Sequence, residues 1–89
     1  MRILYSTTAH ASGDGRNGHV STDDGQLELD VRTPPQLGGS GGATNPEQLF
    51  AAGYAACFHS ALRLVAGQAD VDVTGSAVSA TVHLGATDT

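Results

Sequence analysis

The sequence has 89 residues, a length that allows one small domain and buries only a modest fraction of its surface on folding. A net charge of -5, a pI near 4.9 and only four basic side chains argue against nucleic acid as a partner, because phosphate backbones are bound by clustered Lys and Arg. Aromatic residues make up 4% and Trp is absent, so any core comes mainly from Ala, Val and Leu. We therefore expect a small acidic domain that gains stability from a partner chain.

The use of cysteine indicates a reducing compartment. Cys57 is the single cysteine, and one cysteine cannot form the intrachain disulfides of small secreted domains. The N-terminus lacks the apolar core of a signal peptide, and no stretch approaches the roughly 20 apolar residues of a membrane span. We expect a cytoplasmic protein that does not associate with a membrane.

The chain opens with strand and turn signals. Residues 2–10 contain β-branched and aromatic residues that predict a strand, and the glycine-rich residues 13–18 predict a loop that carries Arg16. This loop spells G-x-G-x-x-G, but a dinucleotide site needs the motif to open a helix, and here a strand follows. The residues leave open whether the loop is simply mobile or delivers Arg16 to a site.

Two further strands follow. The Asp-Asp-Gly of residues 23–25 predicts a hairpin turn between strands at 19–22 and 26–32, the second of which alternates apolar and polar residues. The prolines at 34–35 end that strand, and the glycines of 38–42 form a flexible connection. The first half of the chain is therefore predicted to be an antiparallel β-meander.

Helix signals begin after this connection. Pro46 suits a first helical turn, Thr44 and Glu47 fit a capping box, and Gly67 fits a C-cap, which predicts a helix over 46–66. Apolar residues nearly encircle this segment, the pattern of a helix buried on most sides. An 89-residue monomer could hardly surround it.

The last segment, residues 71–84, again alternates apolar and polar residues and predicts a further strand. There is no internal repeat and no change of composition that indicates a second domain. We therefore interpret residues 1–89 as a single domain of the α+β class, with a β-meander, a buried central helix and a final strand.

Taken alone, the polar candidates have ordinary interpretations. Cys57 lies among apolar residues, and free cysteines are often inert core residues; Glu47 serves as a cap and Arg16 as a solvated loop charge. A metal site is disfavoured because Cys57 and His59 project about 200° apart on a helix. A Cys–His hydrolase stays open, since its base can come from elsewhere in the chain.

The run at residues 45–58 reads Asn-Pro-Glu-Gln-Leu-Phe-Ala-Ala-Gly-Tyr-Ala-Ala-Cys-Phe and follows a glycine-rich segment. It closely resembles the signature of the organic hydroperoxide resistance branch of the OsmC/Ohr superfamily. The resemblance extends to the opening strand, the arginine-bearing loop, the Asp-Asp-Gly turn and the strand after the helix. It implies an OsmC-like intertwined homodimer, in which the partner subunit covers the helix.

The resemblance also implies roles for three residues: Cys57 as the peroxidatic thiol, Arg16 as the loop arginine that activates it, and Glu47 as the carboxylate that holds this arginine. A thiolate is the attacking form, and a guanidinium beside the sulfur favours it. A straight helix would separate Glu47 from Cys57 by about 15 Å, too far for one arginine to contact both. We therefore expect the helix to break near Gly53, with Cys57 near the start of a second helical segment.

Members of this family reduce organic hydroperoxides, preferably those of fatty acids, to alcohols. We expect no bound cofactor and, from the spacing of Cys57 and the histidines, no metal. The resemblance implies recycling by an external dithiol, the dihydrolipoyl group of a lipoylated protein. The side chains that we expect to form walls for an apolar substrate tail are Tyr5, Phe50 and Phe58.

Full-length members continue with further strands, another helix and a second cysteine, whereas this chain ends earlier, so we expect a C-terminally incomplete domain. The second cysteine resolves the sulfenic acid in the family, and turnover by that route lacks its second thiol here. Two alternatives to the peroxidase stay open. The first is a catalytically incomplete domain that binds apolar ligands or a partner chain, and the second is the Cys–His hydrolase.

Overall fold

The computed structural model describes residues 1–87 and confirms the α+β class. Contacts divide the chain into two compact units, Met1–Pro46 and Glu47–Thr89. The elements are strands β1 (Ala9–Asp14), β2 (Asn17–Thr22) and β3 (Glu28–Asp30), a 3-10 turn (Pro35–Leu37) and helix α1 (Pro46–Gln68). The strands form one antiparallel sheet in the order β1-β2-β3, as the predicted meander requires.

The first two strands form a tight hairpin. Asp14 pairs with Asn17, which leaves Gly15 and Arg16 as the two central residues of the turn. Gly15 has a φ of 65° and Arg16 has no positive φ, as in a type II′ turn, whose first central position favours glycine. This turn presents Arg16 at the tip of the hairpin.

The hairpin corrects two predictions. The first strand does not span residues 2–10 but begins at Ala9, and residues 13–18 are not a loop but the end of one strand, a two-residue turn and the start of the next. The reason is pairing: β2 has six residues and its last, Thr22, already pairs with Ala9. Residues 2–8 therefore have no partner strand among the described residues.

Gly18 is the point of closest approach in this unit. It is buried, and a Cβ at this position would lie 2.1 Å from the carbonyl oxygen of Ser12 on β1. Its own carbonyl accepts hydrogen bonds from the backbone N–H of Val31 at 2.9 Å and from Nη1 of Arg32 at 3.0 Å. A glycine is required here because two neighbouring segments approach its backbone closely.

The Asp-Asp-Gly turn is confirmed. The backbone N–H of Gly25 donates to the carbonyl of Thr22 at 3.0 Å, and that of Thr22 donates to the carbonyl of Leu27 at 2.8 Å. The third strand is shorter than the predicted 26–32, because only Glu28–Asp30 pair with β2. Val31, the next residue, forms a parallel bridge with Thr44 and is 1% exposed.

One face of the sheet is polar and carries an acidic cluster around a histidine. His19 on β2 lies 2.9 Å from a carboxylate oxygen of Asp30 and 3.8 Å from one of Glu28, both from β3. The hydrogen bond from His19, with a smaller contribution from the charge of Arg32, holds the pKa of Asp30 below its usual value. This contact joins β2 to β3 on the solvent side of the sheet.

Helix α1 is continuous, which contradicts the predicted break near Gly53. It begins at Pro46, and Asn45 is the residue before it. A capping box with Thr44 as the N-cap and Glu47 as its partner would place the first helical residue at Asn45, one residue earlier. Thr44 instead forms the bridge with Val31. A glycine costs about 1 kcal/mol in a helix interior, and strong helix formers surround Gly53. Proline is absent after Pro46, so this one weak residue does not kink the helix.

The end of α1 also differs from the prediction. The helix runs through Gly67 to Gln68, and the residue in the left-handed conformation is Asp70, with a φ of 56°. The backbone N–H of Asp70 donates to the carbonyl of Gly67, and that of Val71 donates to the carbonyl of Ala66 at 2.8 Å. These two hydrogen bonds are those of a Schellman motif, in which aspartate occupies the position that usually holds glycine.

The predicted strand at 71–84 is absent from the residues that the structure describes. A strand requires a hydrogen-bonded neighbour, and no strand within residues 1–87 pairs with residues 71–84. In this segment, which comes after the helix in the chain, Val73, Ser76, Val78 and Ala80 are partly shielded from solvent.

Within the single chain helix α1 is largely exposed, as expected for a monomer that could hardly surround it, and burial by a partner subunit stays a prediction. Ala66, at 7% exposure, is the one buried residue of α1, and large side chains along the helix remain exposed. The sequence pattern indicated burial, but a chain of 89 residues has too few other residues to surround 23 helical ones. By length and composition alone α1 could cross a membrane, so the expectation that no stretch approaches the length of a membrane span was wrong. Core helices of soluble proteins meet the same criteria, and the absence of membrane association stays a prediction.

Candidate active site

Cys57 lies in the middle of α1 and its side chain is exposed. It is the twelfth of 23 helical residues, about three turns from the N-terminus. The expected position of Cys57 near the start of a helical segment is therefore wrong. The field of a helix dipole falls off within the first turn, so it contributes little to the thiolate at this position. Its accessibility nevertheless satisfies the first requirement for a reacting thiol.

Glu47 is the second residue of α1 and is half-buried. Because the helix is unbroken, the ten positions between Glu47 and Cys57 correspond to about 15 Å along its axis. Both side chains tilt toward the helix N-terminus, so tilting does not close the gap. The structure therefore does not bring these two residues together in the way that the predicted break required.

Arg16 belongs to the first compact unit, at the half-buried tip of the β1–β2 hairpin. The sequence indicated a glycine loop at this position, whereas the hairpin holds Arg16 between two paired strands. A signal was available in the sequence, because a Gly-X pair between residues that can pair is typical of a type II′ hairpin turn. The arginine thus sits on a well-defined element.

An apolar groove lies within the second unit. It has a volume of about 520 Å³ and is lined by Phe50, Tyr54 and Phe58 from the helix and by residues 78–82 from the segment that follows it. Two of the three predicted wall residues, Phe50 and Phe58, thus line one cavity. On an α-helix Cys57 lies seven positions after Phe50, on nearly the same side, and one turn after Tyr54. Cys57 is not one of the residues that line the groove, but this spacing places it next to the aromatic stripe on the helix surface.

Tyr54 was not among the predicted wall residues. Its ring stacks on that of Phe58 with centroids 6.3 Å apart and an angle of 24° between the planes. Positions 50, 54 and 58 repeat every four residues and form a stripe on one helix face, a spacing that could have identified the residue. The missed signal was this regular aromatic spacing, hidden by the apolar residues on the other faces.

Tyr5, the third predicted wall residue, lines a different cavity within the first unit. That cavity has a volume of about 210 Å³ and is formed by residues 5–8 with Asp23 and Asp24. The hydrogen bonds from the backbone of Gln26 and from the hydroxyl of Thr22 lower the pKa of Asp24, which favours a charged rim. These surroundings are polar, unlike the groove of the second unit.

Histidine chemistry at Cys57 finds little support. His59, two positions away, directs Nε2 to the hydroxyl of Ser76 at 2.9 Å. Among residues 1–87 no group of three histidine, cysteine or acidic side chains is arranged to hold a metal ion. The chemistry that this unit offers is an accessible thiol beside an apolar groove.

Comparison with known proteins identifies the family. Residues 39–89 match the model of the OsmC-like proteins, which is more than half of the chain. The chain belongs to the OsmC-like family.

Its relatives within that family are organic hydroperoxide resistance proteins. The chain is 46% identical over 87 residues to "organic hydroperoxide resistance protein-like 2" of Staphylococcus epidermidis, covering 97% of this chain and 61% of the relative. It is 45% identical over 86 residues to the organic hydroperoxide resistance protein of Xanthomonas axonopodis, covering 94% and 60%. The chain thus spans about three fifths of the length of the curated relatives it matches.

Solved structures agree with this assignment. A Vibrio cholerae protein, whose crystal structure has captopril bound in one of its active sites, is 54% identical with a TM-score of 0.90 over 98% of this chain and 60% of that one. An organic hydroperoxide resistance protein from Legionella pneumophila is 63% identical, with a TM-score of 0.75 over 80% of this chain and 51% of that one.

Proposed function

We propose that this chain acts in peroxide defence as a thiol peroxidase that reduces organic hydroperoxides to alcohols. The observation that carries the proposal is the exposed thiol of Cys57 on the helix whose aromatic residues line an apolar groove, in a chain whose relatives are named for resistance to these compounds. An accessible thiol supplies the nucleophile, and the groove supplies a site for an organic group. Both are needed to prefer an organic hydroperoxide over hydrogen peroxide.

The reaction begins with the thiolate of Cys57. Its sulfur attacks the distal oxygen of the hydroperoxide, an S–O bond forms and the O–O bond breaks. The sulfur is oxidised by two electrons to a sulfenic acid, and the O–O bond is reduced. The leaving alkoxide takes a proton and departs as the alcohol. A cation near the sulfur would stabilise both the thiolate and the alkoxide, which is the role we assign to Arg16.

The aromatic stripe of Phe50, Tyr54 and Phe58 is proposed to hold the tail of the substrate. Each methylene group that leaves water on binding contributes about 0.8 kcal/mol, so a tail of several carbons in this groove gains a large part of its affinity there. Such a preference suits fatty-acid hydroperoxides. Tyr5 lines a polar cavity, which gives its predicted role less support than that of the two phenylalanines.

The straight helix suggests that the site is completed by a second subunit. A guanidinium held by Glu47 cannot also reach Cys57 of the same helix, about 15 Å away along its axis. In a homodimer, Arg16 and Glu47 of one subunit can serve Cys57 of the other, while the partner covers the exposed apolar face of α1. This arrangement keeps all three predicted roles and needs no break in the helix.

The cycle closes with an external reductant. We propose that the dithiol of a dihydrolipoyl group on a lipoylated protein attacks the sulfenic acid of Cys57. The dithiol is oxidised to a disulfide, water leaves and the thiol is restored. No bound cofactor takes part, and we expect the reaction in the cytoplasm.

The direct test is consumption of cumene hydroperoxide with dihydrolipoamide as reductant, measured for the wild type and for Cys57→Ser. We expect the variant to lose the activity completely, and the intact mass of the wild type to gain one oxygen after one equivalent of peroxide. If the two proteins consume peroxide at the same rate, the proposed function is wrong.

A second experiment tests the shared site. Cys57→Ser and Glu47→Gln subunits are each expected to be inactive or nearly so. When they are mixed, a heterodimer contains one site with both Cys57 and Glu47, and we expect about half of the wild-type activity per heterodimer. If both residues act within one chain, mixing restores nothing.

One alternative retains a specific observation in its favour. A domain that binds apolar ligands without turnover would also need the open groove, and it would need no reductant. In that case decanol would bind while peroxide consumption stays at the level of Cys57→Ser. The Cys–His hydrolase has less support, because the ring of His59 hydrogen-bonds Ser76.

A further inference from the structure

We propose that His59 and Ser76 are positioning residues that fix one side of the apolar groove and thereby set its preference for long apolar tails. The inference rests on the proposed function, because it assigns a determinant of substrate choice to the same site. It concerns the part of the groove formed by residues 78–82, which we call the wall segment. The opposite side is the aromatic stripe of α1.

The two sides of the groove differ in how firmly they are held. The aromatic stripe is part of a continuous helix, with a hydrogen-bonded backbone. The wall segment is extended, and within the described residues no backbone hydrogen bond joins 77–84 to α1. An extended segment without such bonds has many conformations to lose when a ligand orders it. Its position therefore depends on side-chain contacts and on nearby fixed points.

Ser76 is the nearest fixed point. Its hydroxyl lies 2.9 Å from Nε2 of His59, and its backbone N–H donates to the carbonyl of Val73 at 2.9 Å. The side-chain hydrogen bond is half-buried, where competition from water is reduced. It joins the segment to α1 only two residues before Val78, the first residue of the wall segment. Two residues of extended chain span about 7 Å, which limits how far the wall can move.

The helix side of this contact is also well placed. The shielded residues of α1 include Ala51, Ala55, His59 and Ala66, which repeat at helical spacing and define one face. His59 is the one member of this set that can donate or accept a side-chain hydrogen bond. The hydrogen bond from His59 to Ser76 is therefore a polar contact at one position of an otherwise apolar helix face.

The attachment acts on affinity through preorganisation. When it is present, the wall segment already stands opposite the aromatic stripe, and a long tail enters a formed groove. When it is removed, a tail must first order the segment, and the cost falls on binding. A compact substrate such as tert-butyl hydroperoxide touches little of the groove and gains nothing from its wall. The contact should therefore change the ratio of kcat/KM for long and short substrates.

The test compares dodecyl hydroperoxide with tert-butyl hydroperoxide. Loss of one hydrogen bond of this kind corresponds to about a tenfold loss at most, so we expect Ser76→Ala to lower the long-to-short ratio of kcat/KM about five- to tenfold, through KM of the long substrate. His59→Leu breaks the bond from the other side and should give the same loss. The double variant should be no worse than either, because both remove one interaction.

Two controls separate positioning from general damage. Ser76→Thr keeps the hydroxyl and should restore the ratio. Ser60→Ala removes a neighbouring serine hydroxyl that donates to the carbonyl of Ala56, and it should leave the ratio unchanged. Helical circular dichroism checks that each variant is folded, and if Ser76→Ala is not, His59→Leu carries the test.

A binding measurement keeps the inference independent of turnover. Decanol is titrated into Cys57→Ser and into a protein that carries both Cys57→Ser and Ser76→Ala. We expect the Kd for decanol to be about five- to tenfold higher in the second protein. Unchanged decanol affinity together with an unchanged kcat/KM ratio would overturn the positioning role. If decanol binding weakens while the wild type consumes no hydroperoxide, positioning is supported and the peroxidase proposal fails.

Discussion

Replacing Gly18 by alanine should destabilise the unit that carries Arg16. The new Cβ would lie 2.1 Å from the carbonyl oxygen of Ser12, whereas such contacts essentially never fall below 3.0 Å. The two strands must therefore separate by about 1 Å, enough to lengthen the neighbouring ladder hydrogen bonds beyond their normal range. The carbonyl of Gly18 also accepts from Val31 and Arg32, so the displacement extends to the third strand.

The magnitude follows from two costs. Forcing an extra group into a packed site costs about 1–3 kcal/mol, and each backbone hydrogen bond lost adds about 0.5–1.5 kcal/mol. We expect a loss of roughly 3 kcal/mol in the free energy of unfolding, which is a large share of the stability of a small domain. Peroxide consumption should fall as well, because the hairpin tip no longer holds Arg16 in place.

The assay is urea unfolding followed by far-ultraviolet circular dichroism. Gly53→Ala is the matched control, since a Cβ at that position meets nothing within 4 Å and the backbone is helical. Alanine is favoured over glycine in a helix by about 1 kcal/mol, so this substitution should stabilise the protein. A Gly18→Ala protein as stable as the wild type would refute the close-approach argument, and a destabilised Gly53→Ala would refute the continuous helix.

Three further predictions concern single side chains. Asp70→Gly should raise stability by about 0.5–1 kcal/mol in thermal unfolding, because glycine adopts the left-handed φ of 56° without strain, while Asp70→Ala should not. The hydrogen bond from His19 lowers the pKa of Asp30 in the folded state, so ionised Asp30 contributes stability that is fully present above about pH 4. This stability is lost as the pH falls through the folded pKa, and acid unfolding of Asp30→Asn should show less of this loss. Tyr54→Ala should raise KM for dodecyl hydroperoxide about three- to tenfold by removing the ring that stacks on Phe58, whereas Tyr54→Phe should not, and equal KM values for both variants would contradict a role for the ring.

Local signals in the sequence predicted much of the fold. The Asp-Asp-Gly turn and the alternation around Leu29 lead to β2 and β3, and proline followed by a long apolar run leads to α1. These features depend on residues close in sequence, where turn geometry and helix propensity decide the outcome. The limits of the strands were harder to predict, because the length of β1 is set by how many residues β2 offers for pairing.

Features that depend on competing energies were predicted wrongly. The break at Gly53 was inferred from the distance that one arginine can span, but helix continuity is decided by the residues along the helix, and those around Gly53 favour it. The predicted helix end at Gly67 was wrong because Asp70 adopts the left-handed backbone conformation that glycine more often occupies after a helix. At the site, the motif pointed to Cys57, Glu47 and Arg16, whose roles remain predictions.

The small number of buried apolar side chains has a thermodynamic consequence. Among the described residues these are Val31 and Ala66, so unfolding of an isolated chain would expose little additional apolar surface. The heat capacity change of unfolding scales with that exposure, and it should be small for such a chain. Its stability curve would then be flat, and because little burial also means a small enthalpy of unfolding, its melting would be broad. Association that covers α1 would raise both the heat capacity change and the enthalpy of unfolding, so a sharper transition that moves upward with protein concentration would report assembly.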